Sequence, residues 1–338
     1  MKIITCASYY GTGSSAVTDL INECDNVHFL GDYEFRFVQD PDGICDLEYN
    51  LVLNNHRHNS GYALKRYEKN VKFLNGNWFV KKYNKFFGDE WMRLSSEYVK
   101  KLVATEYKGY WHQDVRDAGM VPYIIDRLYI KLMHSIPGVN KERNFTLFMN
   151  NMTNYATYPG ESFYSITKEY IDDLFTLVNT DNKEFVMVDQ LVPPSNTSHY
   201  LSFFSDIKVI CVDRDPRDLY ILEREYWNGT IIPHDVNQFC IWFRATRAHK
   251  SREVDNDQIL RISFEDLIYH YTHFKDKILD FCGIAASHHV NPRTRLIPEE
   301  SCRNTKLFEK HHKYDKEIRI IETELSEYLY DYENGKVK

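Results

Sequence analysis

The sequence predicts an α/β fold in three layers, a mostly parallel sheet flanked by helices on both faces. Two observations carry this. Short β-branched apolar runs at 2–7, 184–188, 208–212 and 259–262 read as buried strands, and helical patterns lie between or after them. Several of these runs also stop abruptly at turns of glycine, hydroxyl or charged residues, which is where α/β sheets carry their sites.

In chain order, 2–7 is the first strand, and 14–23 is a helix with Ala16, Val17, Leu20 and Ile21 at helical spacing. Val27 to Leu30 reads as a second strand, with Asp32, Glu34 and Arg36 just past its carboxyl end. Residues 40–150 have a different texture, rich in Tyr, Asn and Lys, with helical patterns near 60–74, 89–107 and 121–135. This stretch is expected to be a helical insertion serving as a lid or an acceptor-binding wall, or simply a structural layer. A strand is expected over 145–149, a helix over 168–178, a strand over 184–188 ending at Asp189, and a short helix over 197–204. The strand 208–212 feeds a helix that starts near Pro216, and a charged helix is expected over 313–332.

The turn after the first strand is the most telling segment. Gly11, Thr12, Gly13, Ser14 and Ser15 lie between a strand and a helix. Backbone N–H groups at a helix N-terminus favour an anion, and the glycines allow close backbone approach. The nucleoside-triphosphate loop would need a lysine after the glycines, and none is there; the dinucleotide fingerprint would need a third glycine where Ala16 stands. The second charged turn is Asp213-Arg214-Asp215-Pro216-Arg217-Asp218, which puts two guanidinium groups, suited to bidentate phosphate recognition, at a strand end. Asp218 is expected to help cap the helix that starts there.

Bulk composition narrows the function. A net charge of −7 argues against general nucleic-acid binding. Seven scattered cysteines without a C-x-x-C pair argue against a zinc site or a disulfide framework and fit a reducing compartment. With no apolar run of membrane length and no leader pattern, a cytoplasmic protein without a transmembrane segment is expected. Aromatic residues make up 15%, which suits packing and also stacking on sugars or adenine.

Taken together, the Gly/Ser/Thr loop, the Arg-Asp-Pro-Arg-Asp turn and the later Arg261-Ile262-Ser263-Phe264-Glu265-Asp266-Leu267 resemble the sulfotransferases that use 3′-phosphoadenosine 5′-phosphosulfate (PAPS). Among these the chain looks most like the bacterial enzymes that modify polysaccharides and glycolipids. The resemblance covers roughly 1–37 and 184–310 and implies a P-loop-like fold, with 1–338 as a single sulfotransferase-like domain carrying the 40–150 insertion. It implies that Gly11 to Ser15 hold the phosphosulfate, that Arg214, with Arg217, meets the 3′-phosphate, and that Phe264 neighbours the adenine. Arg303, Asn304, Thr305 and Lys306 resemble the loop that closes over the nucleotide.

The reaction implied is sulfuryl transfer to a hydroxyl of a glycan or glycolipid, without a metal. Glu34, in Tyr-Glu-Phe-Arg-Phe, resembles the base of the heparan-type members; Asp32, Asp189 and His199 are alternatives. There are two departures. The family has Lys or Arg where Gly11 stands, and often a Ser where Leu222 stands. Arg36 or Lys306 could supply the missing cation. An ATP-dependent kinase or NTPase, and a non-catalytic nucleotide- or glycan-binding relative, are the competing readings.

Overall fold

The computed structural model describes residues 1–337 other than 78, 110 and 148–151. Seven strands make up its two larger sheets: β1 (Lys2–Ser8), β2 (Val27–Glu34), β3 (Thr105–Lys108), β4 (Thr153–Ala156), β5 (Phe185–Asp189), β6 (Ile207–Asp213) and β7 (Ile259–Ser263). The chain forms two compact units, one of 1–39 with 175–338 and the other of 40–174.

The first unit is built on a five-stranded sheet, wholly parallel, in the order β2-β5-β1-β6-β7. β1 lies in the middle, with Ile3 opposite both Val186 and Ile207. A strand buried on both faces is mostly apolar; Ile3, Ile4, Cys6 and Ala7 are at most 1% exposed, and the hydroxyl of buried Thr5 accepts the Leu191 N–H at 3.2 Å. Helix α1 (Ser14–Ile21) lays Val17, Leu20 and Ile21 on Ile4, Met187 and Ile210. Removing each such side chain from water contributes about 1.5–3 kcal/mol. The second unit is mostly helical. Helix Glu90–Leu102 buries Trp91, Leu94, Tyr98 and Leu102 at helical spacing, and β3 pairs antiparallel with β4.

Several elements differ from the sequence reading. β2 does not stop at Leu30 but runs to Glu34, with a break in its register against β5 between Phe29 and Glu34, so Asp32 and Glu34 lie within the strand. The helix expected over 89–107 ends at Leu102, because Thr105 to Lys108 enter β3. The helix expected from 168 begins at Ser162. Phe145 to Leu147 are not a strand, and 148 and 149 lie outside the described residues. The C-terminal helix covers only Asp315–Glu324, and a hairpin of Tyr330–Asp331 with Lys336–Val337 follows. The helix after β6 starts at Pro216, but its cap is Asp215, whose carboxylate accepts the Arg217 N–H at 2.8 Å; Asp218 instead accepts the N–H groups of Lys306 and Leu307.

Candidate functional site

Every strand of the parallel sheet delivers a residue to one open cleft of about 870 Å³: Ser8 from β1, Glu34 from β2, Gln190 just after β5, Arg214 just after β6 and Phe264 just after β7. This is the carboxyl edge of the sheet, where parallel α/β folds place ligands. All of its lining residues belong to the first unit.

The floor is the β1–α1 loop. Tyr10, Gly11 and Gly13 all have positive φ, at 76°, 67° and 102°. No side chain caps α1, so its first turn offers unclaimed N–H groups to an anion. Both glycines are required by close approach as well as by φ. A Cβ on Gly11 would stand 2.3 Å from Trp227, and one on Gly13 would stand 2.5 Å from Phe264. Gly11, Gly13, Ser14 and Ser15 line the cleft, whereas Thr12 does not. Thr12 is fully buried; its hydroxyl donates to the Val212 carbonyl at 2.7 Å and accepts the Tyr9 N–H at 3.2 Å. That hydroxyl ties the loop to β6 and has no donor left for an anion.

Arg214 forms the opposite station. It is 7% exposed, its guanidinium lies 4.5 Å from the Phe264 ring centre, and one Nη donates to the Asn304 carbonyl. Its Nε is buried and has no partner among the described residues. A buried guanidinium N–H without an acceptor costs free energy, so the position is built for an incoming anion. Beneath it lie Asp215, Asp218 and Glu265. Burial, then the charge of Asp215, pushes Glu265 up to about 8 and raises Asp218 as well.

Arg217 departs from its expected role. Its guanidinium is bidentate on Asp215 at 3.0 and 2.7 Å, also bonds Glu322 at 3.0 Å, and lies outside the cleft. It is a fold-building ion pair. Of the expected closing loop, Asn304 lines the cleft and Arg303, Thr305 and Lys306 do not. Thr305 is buried and bonds Cys302 and Tyr269, and the Lys306 ammonium lies over the Tyr332 ring at 4.7 Å.

Three carboxylates were candidates for the base. Glu34 lines the cleft and stands 3.7 Å from Arg36, which lines it too. Asp32 is exposed and lies off the cleft. Asp189 lies behind the lining, opposite Glu34 in the β2–β5 register, and accepts from the Ser14 hydroxyl at 3.4 Å. Its Oδ1 is buried without a partner among the described residues, and burial, then the charge of Glu34, pushes the carboxyl up to about 7. His199 is not among the lining residues.

Sequence reasoning missed Asp19 and the aromatic wall of Tyr10, Tyr226 and Trp227. Trp227 meets Tyr10 edge to face at 6.0 Å. It closes a π-helical turn at Glu223–Trp227, an irregularity that leaves no periodic trace in the sequence. Asp19 sits one turn into α1, and its alternation with Val17 and Leu20 reads only as a solvated helix face.

No family model and no curated protein matches the chain. Similarity to solved structures is present at low identity. The sulfotransferase domain of the Synechococcus PCC 7002 olefin synthase is 14% identical, with 88% of this chain and 78% of that one covered and a TM-score of 0.38. Retinol dehydratase, solved with androsterone and inactive cofactor PAP, is 14% identical over 90% of this chain and 67% of its own, with a TM-score of 0.33. A sulfotransferase from Mycobacterium tuberculosis is 8% identical over 90% and 76%, with a TM-score of 0.32. With scores of this size, the functional reading rests on the cleft itself.

Proposed function

We propose that this protein transfers a sulfuryl group from PAPS to a hydroxyl of a glycan or glycolipid acceptor. The observation that carries the reading is the pair of anion stations in one cleft. One is the uncapped loop-to-helix turn of Gly11 to Ser15 after β1; the other is Arg214 after β6, buried, backed by Phe264 and with an unpartnered Nε. A nucleotide phosphorylated at two separate positions fits two stations on different strands. A nucleoside triphosphate with magnesium would call for a lysine after the glycines, and Ser14 stands there.

The donor supplies the sulfuryl group and a bisphosphate leaving group. Gly13, Ser14 and Ser15 hold its phosphosulfate end with backbone N–H groups and hydroxyls, and Arg214 holds the 3′-phosphate against Phe264. Arg36 takes the place of the cation absent at Gly11, stabilising charge where it develops. Glu34 takes the acceptor hydroxyl proton. Asp189, uncharged below about pH 7 and backed onto Ser14, keeps a second negative charge away from Glu34. Tyr226 and Trp227, 59% and 41% exposed, offer flat apolar faces to a sugar ring.

The test is calorimetric titration with 3′-phosphoadenosine 5′-phosphate, with AMP, and with ATP plus magnesium. The bisphosphate should bind most tightly. Arg214→Gln should weaken it by about 10- to 100-fold, the worth of one or two charge-assisted hydrogen bonds, and leave AMP almost unchanged. Tighter binding of ATP with magnesium would overturn the proposal.

A further inference from the structure

The second unit contains a helix turned inside out. Over Met120–Ser135, the residues Met120, Val121, Ile124, Ile125, Leu128 and Leu132 form one apolar stripe, and all are 49 to 70% exposed. The side chain this helix buries is Asp126, 3% exposed, whose carboxylate accepts from the Thr146 hydroxyl and the Leu147 N–H, each at 2.8 Å. A surface helix ordinarily does the reverse, with its stripe toward the core. Here a satisfied carboxylate anchors the inner face, and the apolar face is presented outward.

Charge identifies what covers it. The whole chain carries −7, yet 120–147 holds four cations, Arg127, Lys131, Lys141 and Arg143, against Glu142 and the buried Asp126. None of those four cations forms an ion pair with a described carboxylate, in contrast to Arg93 of the same unit, which holds two glutamates. Arg127 and Lys131 sit on one flank of the apolar stripe. A second copy of the chain is a poor occupant: antiparallel two-fold pairing through the stripe would set the basic flank of one copy against that of the other. An apolar stripe edged by unpaired bases is instead the pattern of a helix lying in the plane of an anionic lipid surface. At 16 residues with three charges, it cannot cross a bilayer, and no described helix is long and apolar enough to do so.

We infer that helix Met120–Ser135 docks the protein peripherally on an anionic membrane, apolar stripe inserted and Arg127 and Lys131 on lipid phosphates. This does not depend on the transferase reading.

The test is co-sedimentation of the full chain with vesicles of phosphatidylcholine alone and of phosphatidylcholine mixed with phosphatidylglycerol. The protein should pellet with the mixed vesicles, and salt should release it. Ile124→Glu with Leu128→Glu should abolish binding. Arg127→Gln with Lys131→Gln should weaken it roughly 25-fold, about fivefold per base. The basic-flank pair decides the matter alone if circular dichroism shows the glutamate variant misfolded. The inference is overturned if the mixed vesicles bind no protein, if the variants bind like wild type, or if sedimentation equilibrium shows a dimer that the same substitutions dissolve.

Discussion

Asp189 offers the sharpest single test of the site. Its carboxyl is raised from the ordinary 3.8 to about 7, first by burial and then by the charge of Glu34. Unfolding returns it to the ordinary value, so between about pH 4 and pH 7 the unfolded chain has lost a proton that the folded chain still holds. Stability from this group is fully present below pH 4, is lost as pH rises to 7, and changes no further above that. A shift of about three units at 1.36 kcal/mol each gives about 4 kcal/mol. Asp189→Asn keeps the shape and can keep the Ser14 contact, but it has no charge to bury. The variant should therefore gain on wild type as pH rises, reaching about 4 kcal/mol near pH 7.5, about 5 °C in melting temperature for a chain of this size. Differential scanning at pH 4.5, 6, 7.5 and 9 reads this directly. A variant whose advantage does not vary with pH, or that melts below wild type at pH 8, would refute the buried, near-neutral carboxyl. The same substitution should alter the pH profile of transfer, since Asp189 bonds Ser14 and lies opposite Glu34 in the strand register.

Other outcomes follow from the same geometry. Glu34→Gln should lower transfer by about 10²–10⁴-fold and, by removing the facing charge, move the Asp189 midpoint downward, which carboxyl NMR would detect. Gly11→Ala puts a methyl 2.3 Å from Trp227 at a φ of +67°, so chemical denaturation should show a loss of at least about 1–2 kcal/mol, partly restored by Trp227→Ala. Arg217→Ala leaves Asp215 buried without its bidentate partner and should cost about 3–5 kcal/mol by urea titration. Well below its melting temperature, the variant should still prefer the bisphosphate to AMP.

The sheet was legible because its information is local. Ile3 to Ala7, Phe185 to Val188 and Ile207 to Val212 are apolar but for Thr5 and Lys208, and a strand covered on both faces admits little else. The anion loop was legible for the same reason, since positive φ and close approach call for glycine at 11 and 13. What escaped depends on distant partners. Thr12 reads like a ligand hydroxyl until β6 arrives to accept it, and Arg217 reads like a phosphate ligand until Asp215 and Glu322 claim it. β3 and β4, four residues each, hold to their pairing with no apolar alternation to announce them. Asp189 was visible as a strand-end acid, but its raised carboxyl depends on burial, which no motif records.

The strand order sets synthesis and assembly at odds. β1 and β2 emerge first, yet neither pairs with the other: both wait for β5, and the other edge of β1 waits for β6. No parallel ladder can therefore begin until about residue 185 has left the ribosome. The central strand of the sheet and the loop that would hold the nucleotide thus wait until then with their edges unsatisfied. Sequence-distant pairing of this kind folds slowly and leaves strand edges open to aggregation. Yield of the folded protein should accordingly respond more to chaperones that shield the nascent N-terminus than to substitutions on the finished surface.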